Sequence, residues 1–242
     1  IEFDAALGAR LRAMSAATGS TRFMLLLASF QAGLHRSSGA AQVRVGTPVA
    51  NRTRAEVEGL IGFFVNTQVL QADITPQQTF AALLAQVKSR VLEAQAHQDT
   101  PFEQLVDALQ PERNLDSSPL FQVLYNHLVD AADAGRLELP GLTVEVQGSG
   151  HEAVRFDLTL STREADGRLY AALVYATDLF DASTIARLAE HWRNLLADAL
   201  RDPQQAIGDL ALYSPAEQQQ LAQWAEGGPL QQRALDVPAR IS

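Results

Sequence analysis

Residues 21–36, TRFMLLLASFQAGLHR, are apolar nearly all round a helical wheel. A helix with that pattern is deeply buried. Ser20 precedes the run and is a suitable N-cap, because its hydroxyl can accept an orphan backbone N–H; Gly39 is a suitable stop. Upstream, Leu7, Leu11 and Met14 recur at helical spacing and predict an amphipathic helix over 4–15.

The remaining segments alternate irregularly between helix and strand patterns. VRVGTPVA (43–50) predicts a short strand that leaves its sheet near Gly46 and Pro48, since proline cannot donate to a ladder. FFVNTQVLQADI (63–74) predicts the next strand, with Phe63 and Val65 on one face and Phe64 and Asn66 on the other. Thr75-Pro76 then suits a helix start, and Phe80, Leu83, Leu84, Val87 and Val91 form its apolar stripe. A short helix opens at Thr100-Pro101 and runs to residue 109, before a polar loop over 110–119. Period-two alternation predicts strands over 120–128, 142–147 and 156–162. Asp166-Gly167 is a turn signal before an apolar strand over 168–177. Asp181 is placed to cap a last long helix with Ile185, Leu188, Trp192, Leu195 and Leu196 on its buried stripe. Past Asp202-Pro203 the chain turns polar, and residues after about 213 read as a linker carrying a short helix, broken at Gly227-Gly228-Pro229. Such a mixture predicts an α/β sandwich around a mixed sheet.

Composition narrows the chemistry. The 242 residues carry a formal net charge of −9 and no basic patch, which argues against a nucleic-acid reader. The longest apolar run, Phe23 to Phe30, is too short to cross a bilayer. The N-terminus has no basic head followed by an apolar core and no initiating Met, so no signal peptide is expected and the chain reads as a piece of something longer. With no cysteine there is no thiol nucleophile, disulfide scaffold or Cys-ligated metal. The five histidines are never three or four apart, and no GxGxxG, GxxxxGK[ST] or GxSxG occurs. A cytoplasmic protein fits these features.

Three polar clusters interrupt the apolar pattern. In VNTQ (65–68) a core-like run ends in an amide and a hydroxyl; the pair either positions a substrate carbonyl or is a satisfied edge amide. In HQDTPFE (97–103), His97 and Asp99 lie two apart at a helix junction, open to a mutual pair or to two favourable helix-dipole contacts. In RFDL (155–158), Arg155 and Asp157 share a strand face and could form an ion pair. No cluster supplies a nucleophile beside a base.

Taken together, the segments resemble the condensation domains of non-ribosomal peptide synthetases. IGFFVNTQ (61–68) resembles the family's (I/V)GxFVNT strand motif, and HQDTPFE resembles its (H/N)QDxPFE motif. ERNLDSSPLFQV (112–123) is partly similar to RDxSRNPL: Arg113, Pro119 and Leu120 fit, while Asn114, Asp116, Ser117 and Ser118 depart. VGTPVANR (45–52), RFDLTL (155–160) and YATDLFDASTIARL (175–188) are similar to further family segments. Six matches in order cover essentially residues 1–212.

The resemblance implies a chloramphenicol-acetyltransferase-like fold of two lobes with a tunnel between them. The family's HHxxxDG motif is not in this sequence, which has no His-His pair. Residues 1–212 therefore resemble the C-terminal lobe alone, a mixed, largely antiparallel sheet flanked by helices, with 213–242 resembling a linker into an adenylation domain. The implied reaction is peptide-bond formation between a donor acyl or peptidyl thioester and an acceptor aminoacyl thioester. Both would be carried on the phosphopantetheine arms of upstream and downstream carrier proteins, with no cofactor bound by the chain itself.

By the same resemblance no catalytic residue or metal lies in this chain. Gly62, Phe64, Asn66, Thr67, Gln68, Asp157, Thr159 and Ser161 would line or brace the tunnel wall. His97, Gln98, Asp99, Pro101, Phe102, Glu103, Arg113, Pro119 and Arg155 would be structural. The partners implied are the N-terminal lobe, the two carriers and an adenylation domain, with neither nucleic acid nor membrane. An epimerisation or cyclisation relative, or a carrier-binding module without chemistry, are the alternatives. PLFQVLYNHL leans toward a D-configured donor.

Overall fold

Asp4 opens the first helix, α1 (Ala5–Thr18): its carboxylate accepts the Leu7 N–H at 2.7 Å, and Gly19 closes it at φ 58°. The computed structural model describes residues 1–52, 54–109, 118–129, 154–165 and 168–226. They fall into two compact units that divide between Leu212 and Tyr213. In the second, α7 (Pro215–Glu226) is capped by Ser214, whose hydroxyl accepts the Glu217 N–H at 3.2 Å.

The buried helix is α2 (Arg22–Ser38). Its cap is Thr21 rather than Ser20: the Thr21 hydroxyl accepts the Met24 N–H at 3.2 Å. Ser20 is committed to α1 instead, its N–H donating to Ser15 O at 3.1 Å and its hydroxyl sitting 2.6 Å from that of Thr18. Leu25, Leu26, Leu27, Ala28 and Ala32 have no solvent exposure, as the all-round apolar pattern predicts. Gly39 ends the helix at φ 72°.

Five strands form one mixed sheet in the order β2-β1-β3-β4-β5. β1 (Gln42–Val49) and β2 (Asn66–Asp73) are antiparallel, as are β4 (Leu158–Ala165) and β5 (Arg168–Tyr175). β3 (Val123–Val129) runs parallel to both β1 and β4. β1 does not leave the sheet at Pro48, which stays paired with Thr67. The register to β3 is Gly46 opposite Leu124, so Pro48 lies beyond that bridge and interrupts no ladder there among the described residues. β2 begins at Asn66, three residues later than the pattern suggests. A short helix, α3 (Ala55–Glu58), lies between the two strands.

α4 (Phe80–Ala96) starts at a Thr79 cap, not at Thr75-Pro76. The intervening residues form a turn, Gln78 N–H donating to Thr75 O at 3.1 Å, and are tied to a distant segment: Gly208 N–H donates to Pro76 O at 2.7 Å, Ile207 N–H to Gln78 O at 2.8 Å and Phe80 N–H to Gln205 O at 3.2 Å. Phe80, Leu83, Leu84, Val87 and Val91 are all buried. α5 (Phe102–Leu109) follows Thr100-Pro101 as predicted. α6 (Ala182–Arg201) follows Asp181, which occupies the N-cap position without a side-chain cap bond. The predicted strand over 142–147, the Asp166-Gly167 turn and all but the end of the 110–119 loop lie outside the described residues.

α1, α2, α4 and α6 pack over the sheet and share one core with its strands. Trp192 of α6 meets Phe3 edge-on at 5.5 Å and donates from Nε1 to the Ser29 hydroxyl at 3.0 Å. Beneath α2 lies a polar cluster. The Tyr125 hydroxyl is 3.0 Å from Thr162 Oγ1, which is 2.8 Å from His127 Nδ1. His127 Nε2 faces Glu164 at 3.9 Å, and Arg22 pairs with that carboxylate. One proton order satisfies the chain: Tyr125 donates to Thr162, Thr162 to Nδ1, and the imidazole keeps its proton on Nε2. A charged imidazole would turn Nδ1 into a donor and reverse the chain, so that Thr162 donates to Tyr125 and the buried Tyr125 O–H is left without an acceptor. Burial, and the Arg22 charge after it, hold the His127 pKa below the usual histidine range; burial likewise pushes the Tyr125 phenol up.

With a folded pKa below the unfolded value of about 6.5, His127 contributes stability that is complete above that value and is lost as pH falls toward the lower one. The unfolded state binds its proton first in that window. Urea unfolding of the chain followed from about pH 7 to about pH 5 shows a falling midpoint, and His127→Gln flattens that slope relative to the parent. Equal slopes would mean the cluster does not discriminate between the two imidazole forms.

Candidate functional site

At the first residue of β2, Asn66 turns its side chain onto the loop joining α4 to α5. Its Nδ2 donates to Gln98 O at 2.9 Å and Thr100 O at 2.8 Å, and its Oδ1 accepts the Phe102 N–H at 3.2 Å. Two residues along the same strand, Gln68 Nε2 donates to Ala94 O at 2.6 Å, one of the last carbonyls of α4. Helix ends leave such groups unsatisfied. VNTQ and HQDTPFE, read as separate clusters, are therefore two halves of one bracket. In it Asn66 acts through backbone contacts.

Around the bracket lies a cavity of about 280 Å³, bordered by Asn51, Phe64, Asn66, Thr67, Asp99 and Phe102, among others. Thr67 offers its hydroxyl, and Asp99 and Glu103 offer carboxylates. Asn51 stands at φ 51°, a left-handed conformation that Asn tolerates better than most residues. His97 and Asp99 form no pair: His97 caps α4 with its backbone and borders a second cavity of about 430 Å³ beside Gln71 and Glu93.

Gly62 permits the ring of Phe64 to fold back, since a Cβ there would lie 2.9 Å from that ring. Arg52 covers the same ring at 4.4 Å and donates to Val57 O and Glu58 O. The rest of the run is not a core strand. Ile61 and Phe63 are 105% and 91% exposed, and Leu60 and Val65 are about half exposed. Among the described residues no ladder partner reaches residues 61–65, so Phe63 and Val65 do not form the strand face predicted for them. An apolar patch of this kind marks an interaction surface.

A second link was invisible in the sequence. Phe121 meets Phe102 edge-on at 5.8 Å and stacks on Phe156 at 5.2 Å. A Cβ on Gly46 would stand 2.2 Å from the Phe121 ring. The aromatic row thus ties the 97–103 loop to the 155–158 segment across the glycine of β1. A glycine inside a strand pattern is the signal for such a close approach.

The other predicted residues are dispersed. Thr159 and Ser161 share the face opposite buried Leu158 and Leu160, as the alternation implies. Asp157 borders neither cavity above; it lies at a different one, of about 540 Å³, beside the first residues of β1, β3 and β4. Arg155 is exposed and forms no ion pair with Asp157 among the described residues. Pro119 is half-buried, and Arg113 lies outside the described residues. Among the described residues no group of three or more His, Cys, Asp or Glu could hold a metal ion. What the bracket offers chemically is a rigid wall with hydrogen-bonding groups at fixed positions.

Comparison with known proteins places this geometry. A family model described as Condensation domain matches residues 1–222. The chain is 46% identical over 238 residues to one of the linear gramicidin synthase proteins of Brevibacillus parabrevis, covering 97% of this chain and 3% of that protein. It is 39% identical to chondramide synthase of Chondromyces crocatus, covering 90% of this chain and 6% of the other. Among solved structures, the X-domain from teicoplanin biosynthesis in complex with OxyB superposes with a TM-score of 0.80 at 29% identity, covering 88% of this chain and 47% of that one. A four-domain nonribosomal peptide synthetase bound to AMP and glycine gives 0.78 at 25% identity, covering 90% and 18%. The chain thus spans a small fraction of its curated relatives and under half of these solved chains.

Asn66→Ala removes three hydrogen bonds and lowers stability by about 2 kcal/mol in urea unfolding, with faster hydrogen exchange at the Phe102 amide. Asn66→Asp sets a carboxylate against two carbonyls and costs at least as much near neutral pH; protection at Phe102 equal to the parent would show the bracket to be dispensable. Gly46→Ala forces the Phe121 ring aside and costs roughly 1–3 kcal/mol. Phe121→Leu in the same chain recovers part of that loss, a non-additivity that a double-mutant cycle measures.

Proposed function

The chain belongs to the condensation domain family, and from that premise we propose that it is the C-terminal lobe of a peptide-bond-forming condensation domain in a non-ribosomal peptide synthetase. In the proposed reaction an aminoacyl thioester and an acyl or peptidyl thioester arrive on the phosphopantetheine arms of two carrier proteins. The acceptor amine attacks the donor carbonyl, a C–N bond forms, the C–S bond breaks, and the amine proton leaves with the donor's thiolate as a thiol. The thioester is already activated, so positioning and electrostatics suffice as the lobe's contribution.

The observation that carries this reading is the Asn66 bracket. It joins the two most specific motifs of the sequence into one rigid wall, with Thr67 and Asp99 facing the same cavity. In this reading the wall borders the tunnel between lobes, and the histidine pair of the reaction belongs to the other lobe. The exposed Leu60, Ile61, Phe63 and Val65 are where that lobe rests, and residues 213–242 lead toward an adenylation domain. A cytoplasmic location accords with it; no helix among the described residues is long and apolar enough to cross a membrane.

The test is complementation. The 242-residue chain alone, given loaded donor and acceptor carriers, yields no dipeptidyl product, and adding the N-terminal lobe of a close relative restores turnover. Phe63→Asp weakens the association of the lobes about tenfold without unfolding the chain. Turnover by the chain alone would overturn the half-domain reading. Carrier binding without product, even with both lobes present, would leave an interaction module.

A further inference from the structure

The 540 Å³ cavity beside Asp157 lies apart from the Asn66 bracket, at the opposite end of the β1–β2 pair. With Asn66 opposite Val49 and Asp73 opposite Gln42, the separation along the strands is roughly 20 Å at about 3.3 Å per residue. Its size falls in the range of about 300–1,000 Å³ typical of small-molecule sites. Val43, Leu158 and Ile185 make a buried apolar wall, and Leu34, Phe180 and Leu188 are half-buried around it.

The rim carries both signs of charge. Extending the registers Gly46–Leu124 and Val123–Leu158 places Arg44, Gln122 and Asp157 side by side on β1, β3 and the entry to β4. The Asp157 N–H donates to Gln122 O at 3.1 Å, which fixes the last step of that row. Adjacent strands are about 4.8 Å apart, so the cation and the carboxylate stand about 10 Å apart at their backbones with an amide between them. Gln71 Oε1 accepts from Arg44 Nε at 2.9 Å and orients the guanidinium. Arg187 of α6 borders the same cavity, steadied by Thr184 at 3.2 Å. Among the described residues Arg44, Arg187 and Asp157 form no ion pair with each other or with any other group.

We infer that this cavity binds a small zwitterion with an apolar body, the charge pattern of a free apolar α-amino acid. The ligand carboxylate sits between Arg44 and Arg187, its ammonium meets Asp157, and its side chain enters the wall formed by Val43, Leu158 and Ile185. A simple anion would leave Asp157 opposing it, and a simple cation would face two guanidinium groups. This inference does not depend on peptide-bond formation.

An NMR titration of the full 242-residue chain tests it with three probes: L-leucine, L-leucinamide and 4-methylpentanoate. L-leucine shifts the amides of Val43, Leu158 and Leu188 with an affinity in the millimolar range, and each analogue binds about tenfold more weakly. Arg44→Gln with Arg187→Gln removes the preference over leucinamide, and Asp157→Asn removes the preference over 4-methylpentanoate. Equal binding of all three probes would reduce the site to an apolar cavity and overturn the proposal. So would shifts confined to residues 60–65, or none at about 10 mM ligand. If a variant fails to fold, the ranking of the three probes on the unaltered chain decides the matter.

Discussion

The side-chain amide of Asn66 satisfies three backbone groups of a loop that has no ladder of its own. Buried or half-buried backbone groups without partners are costly, so a loop between two helices needs an outside source of hydrogen bonds. One amide provides two donors and one acceptor in the required positions. Everything around the candidate site follows from that contact. It fixes where α5 begins, which places Phe102 against Phe121, and Phe121 in turn requires the bare backbone of Gly46. Aspartate has the same shape but the wrong complement of donors, and so cannot substitute for it.

The periodic elements were legible because their physics is local. The α4 stripe is buried residue for residue, and α2 is enclosed as its all-round apolar pattern requires. Element starts were less legible where two candidates competed. Ser20 and Thr21 both carry hydroxyls, and the choice went to Thr21 because the preceding turn had already taken up Ser20. Thr75-Pro76 has the chemistry of a helix start, yet it forms a turn whose backbone pairs with residues 205–208, and the helix begins only after it. A sequence window cannot contain a partner about 130 residues away.

The site was half legible. Its two motifs stood out, but the hydrogen bonds joining them span 32 to 36 residues, and no spacing rule predicts them. Ile61 and Phe63 were misread because hydrophobicity reports a cost of exposure and not the presence of a cover. Gly46 carried a usable signal, and its aromatic neighbour could not be named from it. The resemblance groups Asp157 with Thr159 and Ser161; its place before the first residue of β4 sets it at the cavity beside the first residues of β1, β3 and β4, which alternation alone does not reveal.

The pairing of residues 76–80 with 205–208 has a consequence for how the chain is made. Ile207 has no solvent exposure, and its backbone closes the approach to α4. During synthesis the first turn of α4 and the segment before it leave the ribosome well ahead of their closing strap. At ~5–20 residues per second, the strap arrives on the order of ten seconds later. For that interval the start of α4 and the turn before it lack the backbone partners that residues 205–208 supply, so this end of the helix is completed only after the rest of the sheet has been made.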